Sequence, residues 1–208
     1  VITISFNNLK ELQQTCDSVD NQTLPPFEHY IIDGSSNNEI SAWLNKTPQP
    51  VYRKWICERD KGISDAFNKG IKLAAGSIIH LLNSADVYYS NSVIETVANY
   101  FNQNAQTQWI SGNIYMKRGG IWVHVGVPFD SKQLYKGMRA VSHPTWFVRK
   151  EVYERVGHFS VDIKIAMDYD LMCRLIGEGY DYLNETLIKF DDSGVSTNQY
   201  LNSIQENT

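Results

Sequence analysis

The chain has 208 residues, 42% hydrophobic and 12% aromatic, which suffices for one domain with a sizeable core and excludes a disordered or fibrous protein. Its formal net charge of −4 lacks the Lys/Arg excess that phosphate-backbone binding requires, so nucleic acid is excluded as the main partner. No run of about 18 apolar residues is present to span a bilayer. Three scattered cysteines, Cys16, Cys57 and Cys173, form no Cys-x-x-Cys pair and point to a reducing, cytoplasmic setting.

VITISF (1–6) reads as a strand, followed by helical spacing through Leu9, Leu12, Cys16 and Val19. HYIID (29–33) is a second strand, ended by Gly34-Ser35-Ser36, and a short helix is expected over 38–45. VYRKWICE (51–58) is a third strand. After Gly62, the stripe Ile63, Phe67, Ile71 and Ala74 marks a helix with one buried face. SIIHLL (77–82) is the fourth strand, and Val93, Val97 and Phe101 place a helix over 90–102. Strands spaced by helices of this length imply βαβ units and a mainly parallel sheet with helices on both faces.

The second half is less regular. WISGNIYM (109–116) and GIWVHVGV (120–127) read as strands around a Gly-rich turn, and 128–142 as a loop carrying Lys132, Lys136 and Arg139. TWFVR (145–149) is strand-like, 150–156 a short helix, and 167–177 a helix with Leu171 and Leu175 inward. One domain over 1–208 is expected, with residues 1–105 as a regular first half and 106–208 as a more elaborated second half. The chain starts in a strand without Met and stops in a polar stretch. It is therefore read as an excerpt truncated at both ends, with any contact to the inner face of a membrane made outside it.

The four parallel strands end in Ser5-Phe6-Asn7, in Asp33, in Glu58 to Asp60, and in Asn83 to Asp86. In an open parallel sheet these ends share one edge, where ligands bind. Neither a dinucleotide fingerprint nor a P-loop is present, so a nucleotide there would be held by carboxylates and a metal. Each acid alone also has a plainer reading as a turn or helix-cap residue.

In order, TISFNN (3–8), YIIDGSS (30–36), ERDKGISDAFNKGIKLAAG (58–76), LLNSADVYY (81–89), SHPTWFVRKEVYERVGHF (142–159) and IKIAMDYDLMCRL (163–175) resemble the family 2 glycosyltransferases of bacterial polysaccharide gene clusters. The resemblance covers most of 1–196 and implies the GT-A fold. It places Ser5, Phe6 and Asn7 against the nucleotide base, and Asp33 as the base-binding aspartate, usually for uracil. Asp60, Lys61, Gly62, Asp65 and Asn68 match the run beside the ribose and donor. Asn83, Ser84, Ala85 and Asp86 match the Asp-x-Asp element, with Asp86 as the metal ligand. Asp168 matches the catalytic base, while His143 and Trp146 fall in the acceptor region.

The implied activity is inverting, metal-dependent sugar transfer from a UDP-sugar to a glycan or lipid-linked acceptor. Mn²⁺ or Mg²⁺ held by one carboxylate and the diphosphate would take up the charge of the leaving group. A positioned carboxylate would accept the proton of the attacking hydroxyl. A nucleotidyltransferase and a catalytically silent nucleotide- or sugar-binding module are the alternatives. Asn7-Asn8-Leu9-Lys10, standing where a nucleotidyltransferase carries a Gly-rich basic loop, counts against the first of these. His80 is read as a packed core histidine. Asp168 without the resemblance would be read as a helix cap; Trp109, Trp122 and Tyr88–Tyr89 could stack on a sugar, but aromatics on strands are more often core.

Overall fold

The computed structural model describes residues 1–138 and 141–190; residues 139–140, Arg139 among them, and 191–208 lie outside the described residues. Strands β1 (Ile2–Ser5), β2 (His29–Asp33) and β3 (Arg53–Cys57) pair in parallel, with Ser5 beside Asp33 and Asp33 beside Cys57. Side-chain alternation along β2 sends adjacent isoleucines to opposite faces. Ile31 packs with Leu12 and Cys16 of α1 (Leu9–Asp20) and with Ile40 and Leu44 of α2 (Glu39–Lys46). Ile32 packs instead with Ala66, Phe67 and Ile71 of α3 (Ile63–Leu73). Each isoleucine and leucine among these contributes about 1.5–3 kcal/mol by leaving water. Helices therefore cover both faces, as the sequence pattern requires.

Pairing is parallel throughout this first sheet and mixed beyond it. The fourth strand, β4 (Ile78–His80), pairs antiparallel with β8 (Phe147–Arg149). Past His80 the chain turns alongside β1, where Leu82 N–H donates to the Ile2 carbonyl at 2.9 Å and Ser84 N–H to that of Ile4 at 3.2 Å. This splice carries residues 83–86 to the edge where β1 and β2 end. The second sheet has the order β4-β8-β6-β9-β5, adding β5 (Val87–Tyr88), β6 (Trp109–Arg118) and β9 (Tyr180–Lys189). The hairpin partner β7 (Ile121–Val125) pairs with β6. Only β6 and β9 run parallel in this sheet; the other pairings are antiparallel.

The alternation repeats in β6. Trp109, paired with Val148, packs among Trp146, Leu171 and Met172, whereas Ile110, paired with Phe147, packs with Val97 and Phe101. Those last two belong to α4 (Val93–Gln103); Leu171 and Met172 belong to α6 (Met167–Arg174), which ends a turn earlier than expected. A further helix, α5 (Lys150–Val156), matches its expected range. Within the loop 128–142, Ser131–Lys136 forms a 3₁₀ turn capped by Asp130, whose side chain accepts from Lys132 N–H.

Asn68 of α3 joins the two halves. Its amide donates to the Phe159 carbonyl at 2.8 Å and accepts from the Phe159 N–H at 3.0 Å, with both residues buried.

Candidate active site

Asp33 ends β2 almost completely buried, and its Oδ1 accepts hydrogen bonds from Ser5 Oγ (3.2 Å), the Ser35 N–H (3.2 Å) and Ser35 Oγ. Asn7 has φ of 53°, in the left-handed region where asparagine is among the better-tolerated side chains. Its N–H donates to Ser35 Oγ at 2.8 Å, and its carboxamide oxygen accepts from the Ser36 N–H at 3.0 Å. These bonds tie the ends of β1 and β2 into one rigid lip, from which the Phe6 ring projects, 62% exposed.

Asp60 closes the next side. Its Oδ1 accepts from the Gly62 N–H at 2.8 Å, and its other oxygen lies against Gly34, where a Cβ would come within 2.0 Å. A side chain at position 34 would have to push the carboxylate aside. Gly62 itself, at φ 117°, supplies the left-handed turn that starts α3. Asp65 turns back to accept from the Lys61 N–H at 3.0 Å and pairs with Lys69 at 3.7 Å.

The Asn83-to-Asp86 turn rests on α1. Thr15 Oγ1 accepts from the Ala85 N–H at 3.0 Å and donates to the Asp86 carbonyl at 2.8 Å. Asn83 Nδ2 donates to Asp86 Oδ2 at 3.4 Å, and Asn8 donates to Ser84 Oγ. Ala85 has φ of 87°, a conformation that costs a non-glycine residue on the order of 1–2 kcal/mol. Here the chain needs glycine-like backbone geometry but carries alanine. Ala85→Gly is therefore expected to raise stability by about 1 kcal/mol, read as a higher urea midpoint at unchanged m-value.

From the second half, the turn His143–Thr145 brings in His143 and Pro144. His80 lies beneath it as a core residue, stacked on Phe147 at 3.9 Å and bonded through Nε2 to the Pro144 carbonyl at 2.9 Å. Because that nitrogen must donate, Nδ1 accepts from the Tyr88 hydroxyl at 2.8 Å. Burial lowers the His80 pKa to about 3 and that of His143 to about 4, so both are neutral near pH 7. His143 packs edge-on against Phe67, Trp146 and Phe159.

Asp168 stands in the first turn of α6, after the flanking residue Ala166, so it is not the cap of that helix. Burial pushes its pKa up to about 6, against the opposing pull of the Tyr169 N–H, which donates to Oδ1 at 2.9 Å.

These segments enclose a cavity of about 820 Å³. Ser5, Phe6, Asp60, Gly62, Asn83, Ser84, Ala85, Asp86, His143 and Asp168 line it together. Asn7, Asp33, Lys61, Asp65, Asn68 and Trp146 are not in its wall. Asn7, Asp33 and Asp65 brace the loops around it, Asn68 is committed to Phe159, and Trp146 is buried beside Trp109 with rings 5.4 Å apart. The sequence reading missed Asn8, Lys164 and Phe190, which also line the cavity. Asn8 adjoins a residue it did single out, whereas Phe190 follows a strand it did not detect. Among the described residues, no group of three or more His, Cys, Asp or Glu side chains is placed to hold a metal ion, and no helix is long and apolar enough to cross a membrane.

The model of the family described as "Glycosyl transferase family 2" matches residues 1–157. An uncharacterized glycosyltransferase of Mycobacterium tuberculosis strain H37Rv is 30% identical over 203 residues, which cover 96% of this chain and 77% of that protein. A PGL/p-HBAD biosynthesis glycosyltransferase of Mycobacterium bovis strain BCG is 26% identical over 178 residues, covering 84% of this chain and 68% of that protein. Among solved structures, S. aureus TarS 1-349 in complex with UDP-GlcNAc superposes with a TM-score of 0.71 at 16% identity, over 95% of this chain and 60% of that one. The mannosyltransferase PcManGT from Pyrobaculum calidifontis, in complex with GDP-Man and Mn²⁺, gives 0.68 at 14% identity, over 96% and 58%. The chain thus spans about three fifths of either solved structure, and at these identities the likeness shows the fold, GT-A, alone. With most of its length matched by the family model and with Asp60, Asp86 and Asp168 lining one cavity, the chain belongs to the family 2 glycosyltransferases.

Proposed function

We propose that this domain transfers a sugar, with inversion, from a UDP-sugar to a glycan or lipid-linked acceptor in polysaccharide biosynthesis. The observation that carries the reading is that Asp86 and Asp168, 82 residues apart, line the same cavity as Ser5, Phe6 and Asp60. The lip formed by β1 and β2 takes the base, with Asp33 and Asn7 holding Ser5 and Phe6 in place. Residues 1–105 bind the donor, and 106–208 bring the acceptor region, with His143 at the wall and Trp146 supporting it from behind.

The donor set suits Mn²⁺ or Mg²⁺. Asp86 offers one hard carboxylate at the cavity wall, with Asn83 bonded to it, and such cations commonly take one or two carboxylates together with substrate phosphates and water. When bound, the cation would supply charge stabilisation to the departing diphosphate. Asp168 accepts the proton of the acceptor hydroxyl, and a pKa near 6 leaves it ionised at neutral pH yet more basic than an ordinary carboxylate. Neutral His143 contributes shape and a hydrogen-bonding edge without a competing charge.

A panel of UDP-, GDP- and TDP-sugars with Mn²⁺, scored for slow donor hydrolysis and for thermal stabilisation by the matching diphosphate, tests this reading. The expected result is a metal-dependent preference for one UDP-sugar. Stabilisation by nucleoside triphosphates alone would favour the nucleotidyltransferase reading instead, and no metal-dependent stabilisation by any nucleoside diphosphate would count against sugar transfer.

A further inference from the structure

The β6–β7 hairpin carries a surface that sugar transfer does not explain. The last partner of β9 on β6 is Tyr115, opposite Lys189, so Met116, Lys117 and Arg118 run on with β7 alone. Three residues of strand project about 10 Å beyond the sheet. Gly119 (φ 57°) and Gly120 (φ 84°) make the turn, a left-handed pair that suits a tight two-residue hairpin.

The tip beyond that edge is both apolar and basic. Ile121 is 69% exposed and Trp122 41% exposed, flanked by exposed Lys117 and Arg118. Cross-strand partners share a face, and the pairs are Arg118 with Ile121 and Lys117 with Trp122. Each face of the tip therefore bears one apolar and one cationic side chain. Behind it, Trp122 stacks on Tyr115 at 4.9 Å, the Lys189 ammonium lies 4.8 Å over the Trp122 ring, and Tyr89 and His124 complete an aromatic belt. No Asp or Glu occurs from Trp109 to Phe129, in a chain whose net charge is −4.

We infer that this hairpin tip is a docking surface for an anionic phospholipid bilayer. Trp and Tyr settle at the headgroup level, a short apolar tip can enter the acyl boundary, and Lys and Arg reach back to lipid phosphates. A glycan platform would need open ring faces, whereas the Trp122 ring is already engaged by Tyr115 and Lys189. The hairpin also roots at the cavity. The Phe190 N–H donates to the Tyr115 carbonyl at 2.9 Å, and Phe190 and Ile114 line the cavity wall. Docking through the tip brings the site to the membrane surface, where a lipid-linked acceptor would be presented.

Sedimentation of the whole chain with vesicles of phosphatidylglycerol and phosphatidylcholine tests this without donor or acceptor, so its outcome is independent of the proposed reaction. Binding is expected to the anionic vesicles, weakening with salt and absent from pure phosphatidylcholine. Reversing both cations (Lys117→Glu with Arg118→Glu) should weaken it by at least about tenfold, at roughly fivefold per cation. Ile121→Ser with Trp122→Ser should also release the protein, with unchanged circular dichroism because both sites are exposed. Failure to sediment with anionic vesicles, or binding that both double variants retain, would overturn the inference. So would quenching of Trp122 fluorescence by soluble oligosaccharides but not by brominated lipid.

Discussion

Asp168→Asn is expected to lower transfer by about 10²–10⁴-fold, the usual contribution of a positioned general base, while making the protein more stable at neutral pH. The two effects share one cause, the burial that raises the carboxyl pKa to about 6. The unfolded value is about 3.9, so the folded state holds the proton more tightly. The stabilisation from that proton is complete below about pH 4 and is lost as the pH rises through about 6. Asparagine carries no such loss. Its advantage should grow between pH 4 and 7 and then level off at about 2 kcal/mol. That allows for a pKa shift of roughly 2 units less the fraction of a kcal/mol that a carboxylate gains in a first helical turn. In the native enzyme log kcat/KM should rise with unit slope below about pH 6 and level off above it, and chemical denaturation at several pH values checks the stability side. A variant that is less stable at pH 7.5, or still active, would return Asp168 to a structural role.

The first half was legible because its signals are local. The isoleucines of β2 alternate, α3 has a stripe at helical spacing, and the polar residues that end β1 and β2 fall at paired positions, Ser5 with Asp33. Once the strands are parallel, the rim follows. The second half resists because its sheet is assembled from non-adjacent, mostly antiparallel strands. β9 escaped detection although it lies between β6 and β5. Its Asn184-Glu185 are exposed, its buried pair Leu187 and Ile188 are neighbours rather than alternates, and its register with β6 shifts twice near Asn113. Side-chain direction was equally hidden. Asn68 sits in the matching motif, but only the fold reveals that Phe159, 91 residues away, uses up its amide. Trp122 has the strand setting of a core aromatic and instead lies exposed near the hairpin tip.

Asp86→Asn is expected to remove metal-dependent donor binding and to lower turnover by at least about 10³-fold, because one carboxylate then has no substitute. Family motifs with two acids can lose one and keep a ligand. Here the neighbouring positions are Asn83, Ser84 and Ala85, so Asp86 is the sole acid of the turn. Asparagine preserves shape and an oxygen that can accept from Asn83 Nδ2, and the backbone bonds from Thr15 to this turn do not depend on the Asp86 side chain. The fold should therefore survive, with a melting temperature near the native one in the absence of ligand. The thermal shift produced by UDP with Mn²⁺ should collapse to the small shift produced by UDP alone. The contrast with Asp168→Asn is the sharper test, since that variant should keep the full metal-dependent shift while losing transfer. If both variants lost the shift, the cation would have to bridge the two halves of the cavity. If neither did, the metal would bind elsewhere and the division of labour between Asp86 and Asp168 would fail.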